Sequence, residues 1–131
     1  MADKKYTKQR VFVADDDVMI RSLLRLLLRE DGYNVVGEAA AGDQVVEECK
    51  RTRPEVLLLD INMPGADGLQ VLEKIRVELP ALRVIMISGE PTLDRVTQAL
   101  EKGAGGFIVK PFNAGKVLGD IETALRKGGR A

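Results

Sequence analysis

Val56, Leu57, Leu58 and Leu59 form an unbroken apolar row that ends on a carboxylate, Asp60, and then breaks into Pro64, Gly65 and Gly68. The row is too short for a helix and does not alternate, which is the pattern of a strand buried on both faces. Such strands belong to parallel sheets. The turn residues forbid its continuation, so Asp60 falls at the carboxyl end, where open α/β sheets bind their ligands. Taken alone, an Asp after a strand is more often a helix N-cap or turn residue. The balance shifts because a second apolar run, Val11 to Ala14, also ends in acid, at Asp15, Asp16 and Asp17.

The remaining segments repeat the theme. A first strand covers Arg10 to Ala14, and Ile20, Leu23, Leu24, Leu27 and Leu28 then recur at helical spacing until Gly32, as a stripe packed on a sheet. Val35 and Val36 mark a short second strand. A helix from about Asp43 to Thr52 buries Val45, Val46 and Cys49, and Pro54 leads into the Asp60 strand. A third helix spans Gly68 to Glu78, with Leu69, Leu72 and Ile75 inward. Arg83 to Ser88 is a fourth strand ending on a hydroxyl; Pro91 lies near the first turn of a fourth helix that stops at Gly103. Gly106 to Lys110 is a fifth strand, and a last helix runs from about Asn113 to Arg126. Strands alternating with helices in this way predict a doubly wound parallel sheet with right-handed crossovers.

With 131 residues, a single domain is expected: a polar tail over 1–9, the domain over 10–127, a short tail over 128–131 and no effector domain. Lys plus Arg and Asp plus Glu are both 20, so the balanced charge argues against nucleic acid or an anionic membrane as partner. A lone cysteine, Cys49, excludes an internal disulfide framework, and no apolar run is long enough to span a bilayer; a cytoplasmic location is expected. Histidine is absent, which removes a Ser-His-Asp triad, a His-ligated zinc site and self-phosphorylation on histidine.

In a sheet of this kind the ends of the first, third, fourth and fifth strands gather along one edge, bringing together Asp15, Asp16, Asp60, Ser88 and Lys110. Two like charges about 4 Å apart repel by roughly 4 kcal/mol at an effective dielectric near 20. A cation relieves the clash, and hard oxygen ligands suit Mg²⁺ better than zinc. A dinucleotide site is excluded, because the first strand runs into acid and not into G-x-G-x-x-G. Lys110 and the Ser88 hydroxyl supply what a phosphoryl group on an oxygen requires.

The acidic pair after the first strand, D-x-N-M-P-x-x-D-G after the third, S-G-E after the fourth and K-P-F after the fifth resemble the receiver domain of two-component response regulators, in its stand-alone chemotaxis type, over Arg10 to Arg126. The resemblance implies a flavodoxin-like (βα)5 fold with strand order 2-1-3-4-5, an order for which a chemotaxis regulator is a known example. It implies Asp60 as phosphoacceptor and Mg²⁺ held by Asp15, Asp16, Asp60 and the Asn62 backbone carbonyl. It further implies Lys110 as the phosphate-pairing lysine, Ser88 and Phe107 as switch residues, and a cis Lys110-Pro111 bond.

Asn62 and Glu90 occupy the positions that border the attacking water in the family, so self-dephosphorylation on a scale of minutes or faster is expected. The expected donor is a sensor histidine kinase or a histidine phosphotransfer protein. A downstream protein would be met on the fourth-helix, fifth-strand and fifth-helix face, with Arg95, Phe107 and Lys116 as readout positions, in a monomer or a phosphorylation-linked weak dimer. Two alternatives stand beside this reading. One is a haloacid-dehalogenase-like Mg²⁺ phosphatase, with Asp15 as nucleophile through its D-x-D pattern. The other is a receiver-like interaction module that is never phosphorylated.

Overall fold

The computed structural model describes residues 7–128. Its strands are β1 (Arg10–Ala14), β2 (Asn34–Ala39), β3 (Val56–Asp60), β4 (Arg83–Ser88) and β5 (Gly106–Val109). Its helices are α1 (Val18–Glu30), α2 (Val45–Thr52), α3 (Gly68–Glu78), α4 (Leu93–Glu101) and α5 (Ala114–Gly128), with a 3₁₀ turn, Gly42–Gln44, leading into α2. All strand pairings are parallel, in the order β2-β1-β3-β4-β5. The flavodoxin-like order expected from the sequence is the one observed.

Alternation along each strand divides the core in two. Phe12, Ala14, Leu57, Leu59, Val84 and Met86 pack under α2 and α3, with Ala99 of α4. Val11, Val13, Val56, Leu58, Ile85, Ile87 and Ile108 pack under α1 and α5, against Leu24, Leu28, Val117 and Ile121. Every residue of β3 is buried, as an apolar row in the middle of a parallel sheet requires.

Side chains fix where the helices begin. Asp17 caps α1 by accepting from the Met19 N–H, Asp67 caps α3 by accepting from Leu69, and Thr92 caps α4 by accepting from Arg95. Each satisfies an N–H that the helix itself leaves free. Gly68 opens α3 where no side chain fits: a Cβ there would lie 2.6 Å from the Ile61 Cα and 2.7 Å from the Asp60 carbonyl oxygen. The helix is therefore pressed directly against the end of β3.

Three expectations are corrected. Leu23 is 46% exposed and Leu26 faces solvent as well, so the inward stripe of α1 is narrower than its leucines suggest. The second strand extends through Ala39, past an interruption of its apolar pattern at Gly37 and Glu38. Residues 8 and 9 are not a free tail: the Lys8 N–H donates to the Gly32 carbonyl, the Gln9 carbonyl accepts from Asn34, and the Lys8 ammonium pairs with Asp31 at 2.7 Å. The rest of the expected N-terminal tail, 1–6, and residues 129–131 of the C-terminal one lie outside the described residues.

Candidate functional site

β1 and β3 are neighbours, so the loops leaving them converge. Asp15 follows β1, fully buried; its Oδ1 accepts from the Asp17 N–H at 2.9 Å. Asp16 is exposed beside it. Asp60, the last residue of β3, is 3% exposed and its Oδ1 accepts from the Asn62 N–H at 3.1 Å. Carboxylate oxygens of Asp15, Asp16 and Asp60 all lie within 4.8 Å of one another.

Lys110 follows β5 and reaches across this group. Its Nζ stands 2.8 Å from Asp15 Oδ2 and 3.5 Å from Asp60 Oδ2. The Asp15 contact is ionic but badly aligned, and Asp15 Oδ2 remains a buried oxygen without a hydrogen bond. Burial, and next the charge of Asp15, push the Asp60 carboxyl up to about 6; the Asn62 N–H and Lys110 pull the other way. Burial disfavours the Lys110 ammonium, yet Asp15 and Asp60 outweigh it and hold its pKa above the usual lysine range. One ammonium thus serves two buried carboxylates, and its pull on Asp60 does not offset burial and the charge of Asp15 there. The donor set, three carboxylates with oxygens within 4.8 Å of one another, fits a hard divalent cation.

Ser88 ends β4, fully buried, with its Oγ accepting from the Glu90 N–H at 3.1 Å and its carbonyl accepting from the Lys110 N–H at 2.8 Å. Phe107 pairs in register with Met86 and so lies on the same sheet face as Ser88; it is partly buried against the core under α2 and α3. The Lys110-Pro111 bond is cis. Asn62 and Glu90 have exposed side chains. Arg95 is turned toward α3, 3.7 Å from the capping Asp67, whereas Lys116 is exposed and pairs with Asp120 along its own helix.

Arg21 and Glu38 were not singled out by the sequence. The Arg21 Nη1 donates to the main-chain carbonyl of Asp15 at 2.6 Å, and its Nε donates to Glu38 Oε1 at 3.2 Å. Their separation along the chain carries no motif that would have paired them.

Fold and site together define a flavodoxin-like α/β protein whose chemistry is concentrated at the carboxyl edge of the sheet, in three acids and a shared lysine. The family model for the response regulator receiver domain matches residues 11–122. The chain is 35% identical over 117 residues to the chemotaxis protein CheY of Listeria monocytogenes, covering 89% of this chain and 98% of that protein. Among solved structures it is similar to a receiver domain protein from Methanospirillum hungatei, with TM-score 0.87, 27% identity, and 95% and 98% of the two chains covered. It is also similar to the CheX-CheY-BeF3-Mg²⁺ complex from Borrelia burgdorferi, with TM-score 0.86, 34% identity and 89% of each chain covered.

The chain belongs to the response regulator receiver domain family. That membership sets aside the dehalogenase-like reading. Among the described residues no helix is long and apolar enough to cross a membrane.

Proposed function

We propose that this receiver takes a phosphoryl group onto Asp60 from the phosphohistidine of a partner kinase or phosphotransfer protein. The observation that carries the reading is the convergence of three carboxylates within 4.8 Å beneath a single shared lysine. An oxygen of Asp60 forms the new bond to phosphorus as the bond to the donor imidazole breaks, and the imidazole leaves with the electron pair. No histidine of this chain can serve as donor, because it has none.

Asp15, Asp16, Asp60 and the Asn62 carbonyl are the groups that would hold Mg²⁺. Once bound, the ion offsets the repulsion among the acids and the charge that builds on the phosphoryl oxygens. Lys110 pairs with the transferred phosphate, and the Asn62 N–H keeps the Asp60 carboxylate oriented. The reading is supported by the Borrelia relative, whose structure is a complex containing BeF3 and Mg²⁺.

The new dianion, at roughly −1.5 to −2 charge, draws the Ser88 hydroxyl toward it, and Phe107 moves into the space behind. The signal then appears on the α4-β5-α5 face, where Leu93, Leu100 and Val109 are exposed apolar residues available to a downstream protein. Phe107 has no phenolic oxygen, so this output works through packing and not through a ring hydrogen bond. Asn62 and Glu90 flank the water that returns Asp60 to its free form, giving a phosphorylated lifetime of minutes or less. Mass spectrometry after incubation with phosphoramidate and Mg²⁺ tests the assignment: wild type gains one phosphoryl group and Asp60→Asn gains none. Wild type that stays unlabelled with small donors and with kinases returns the chain to the class of interaction modules.

A further inference from the structure

Val35 pairs with Val11 and Glu38 pairs with Val13, and both partners face the core under α1 and α5. In an unbroken strand, residues three apart point to opposite faces. They share a face here because the β1-β2 register slips by one residue between Val11 and Phe12. Gly37 suits the shifted register: opposite Phe12, a Cβ would sit 2.7 Å from the ring. The bulge turns an acid that the alternation would aim toward α2 onto the α1 side.

There it meets two arginines. Arg25 pairs with Glu38 Oε2, and Arg21 donates through Nε to Glu38 Oε1 at 3.2 Å. Arg21 and Glu38 are largely covered, with side chains 17% and 25% exposed. With its fork fixed in this way, Arg21 aims Nη1 at the Asp15 carbonyl, 2.6 Å away, while the Asp15 N–H donates to the Ala39 carbonyl at 3.0 Å. The peptide groups on both sides of Asp15 are thereby tied, one to β2 and one to α1. The Asp15 carbonyl belongs to the peptide bond that leads into Asp16, the exposed member of the acidic group.

We propose that Arg21 is a positioning residue for the acidic site, oriented by Glu38. It holds the Asp15-Asp16 peptide so that both carboxylates face Asp60 at a spacing that suits one cation. The inference rests on the reading of the site as a Mg²⁺-assisted phosphoacceptor. Charge and geometry make opposite demands. As a mere nearby cation, Arg21 would repel Mg²⁺ and its loss would tighten binding; as a positioning group, its loss loosens binding. A purely structural role would lower stability and leave Mg²⁺ affinity unchanged.

The test is calorimetric titration of Mg²⁺ into the full chain without phosphodonor. Arg21→Ala should raise the Mg²⁺ Kd roughly tenfold, the lower end of what an outer partner of a metal ligand supplies. Glu38→Gln should raise it less, and Arg21→Lys should recover part of the loss. Lys50→Ala, which breaks an ion pair with Glu78 between α2 and α3, should leave it unchanged. A folded Arg21→Ala chain with unchanged or lower Kd overturns the assignment. Should that variant fail to fold, an unchanged Kd in Glu38→Gln overturns it equally. Wild type that binds no Mg²⁺ sinks the reading of the site and this inference with it; equal binding by wild type and Arg21→Ala, with loss in Asp60→Asn, sinks only the role of Arg21.

Discussion

Asp60 is held in a form it does not favour. An ordinary aspartate titrates near 3.8, whereas burial and Asp15 push Asp60 up to about 6. Between those values the native chain keeps a proton that the unfolded chain has already lost, so stability falls as pH rises through the interval. Above it the ionised carboxylate costs the metal-free fold on the order of 3 kcal/mol. In urea denaturation with chelator at pH 7, Asp60→Asn should therefore be more stable than wild type by about 1 to 3 kcal/mol, and the gap should shrink toward pH 4. A variant less stable than wild type at pH 7 would contradict this. Millimolar Mg²⁺ should narrow the difference by stabilising wild type alone. Asp15, Asp16, Asp60, Ser88 and Lys110 were legible in the sequence because each lies at or just past the end of a strand that announces itself as an apolar run. The Arg21-Glu38 pair was not, since it depends on a one-residue slip that no local pattern reports.

Elements place these residues only as accurately as they abut one another. α3 begins directly against the end of β3, and Gly68 is the residue that permits the contact. Gly68→Ala should cost about 2 kcal/mol or more in denaturant unfolding, since the added methyl meets the backbone of Asp60 and Ile61. It should also slow labelling of Asp60, because the nearest clashes are with Ile61 and the Asp60 carbonyl. Wild-type stability would show that α3 moves aside at little cost. Period and punctuation located all five helices of the described residues to within a few positions. They failed at Leu23 because an α-helix on a sheet buries a stripe, and an α1 with leucine at 23, 24, 26, 27 and 28 has more apolar residues than that stripe can hold. They also failed at the far end of β2, where Gly37 and Glu38 interrupt the apolar row while the parallel ladder continues.

At the scale of the molecule, strand order turns residues remote in sequence into neighbours. The flanking strand β2 contributes through Glu38 and Ala39, while β1, β3, β4 and β5 bring Asp15, Asp60, Ser88 and Lys110 to one edge. In the proposed function the same sheet would carry the signal outward, from Ser88 through its neighbour β5 to the exposed apolar residues of α4 and β5. Hydrogen exchange should change over α4, β5 and α5 when Asp60 is phosphorylated. Ser88→Ala should accept the group yet lose most of that change; an identical response from the variant would place the switch elsewhere. Partner choice in the proposed function would rest on exposed side chains, which obey no packing rule; the sequence offered Arg95, Phe107 and Lys116 as readout positions but no identity for a kinase or target.

The most direct measurement is the intact mass of the chain after incubation with phosphoramidate, with Mg²⁺ or with chelator. Wild type with Mg²⁺ is expected to gain a single phosphoryl group that hydroxylamine removes. Chelator should reduce the gain at least tenfold, and Asp60→Asn should gain nothing. Full labelling of Asp60→Asn, or labelling lost in Asp15→Asn while Asp60→Asn keeps it, would contradict Asp60 as the acceptor.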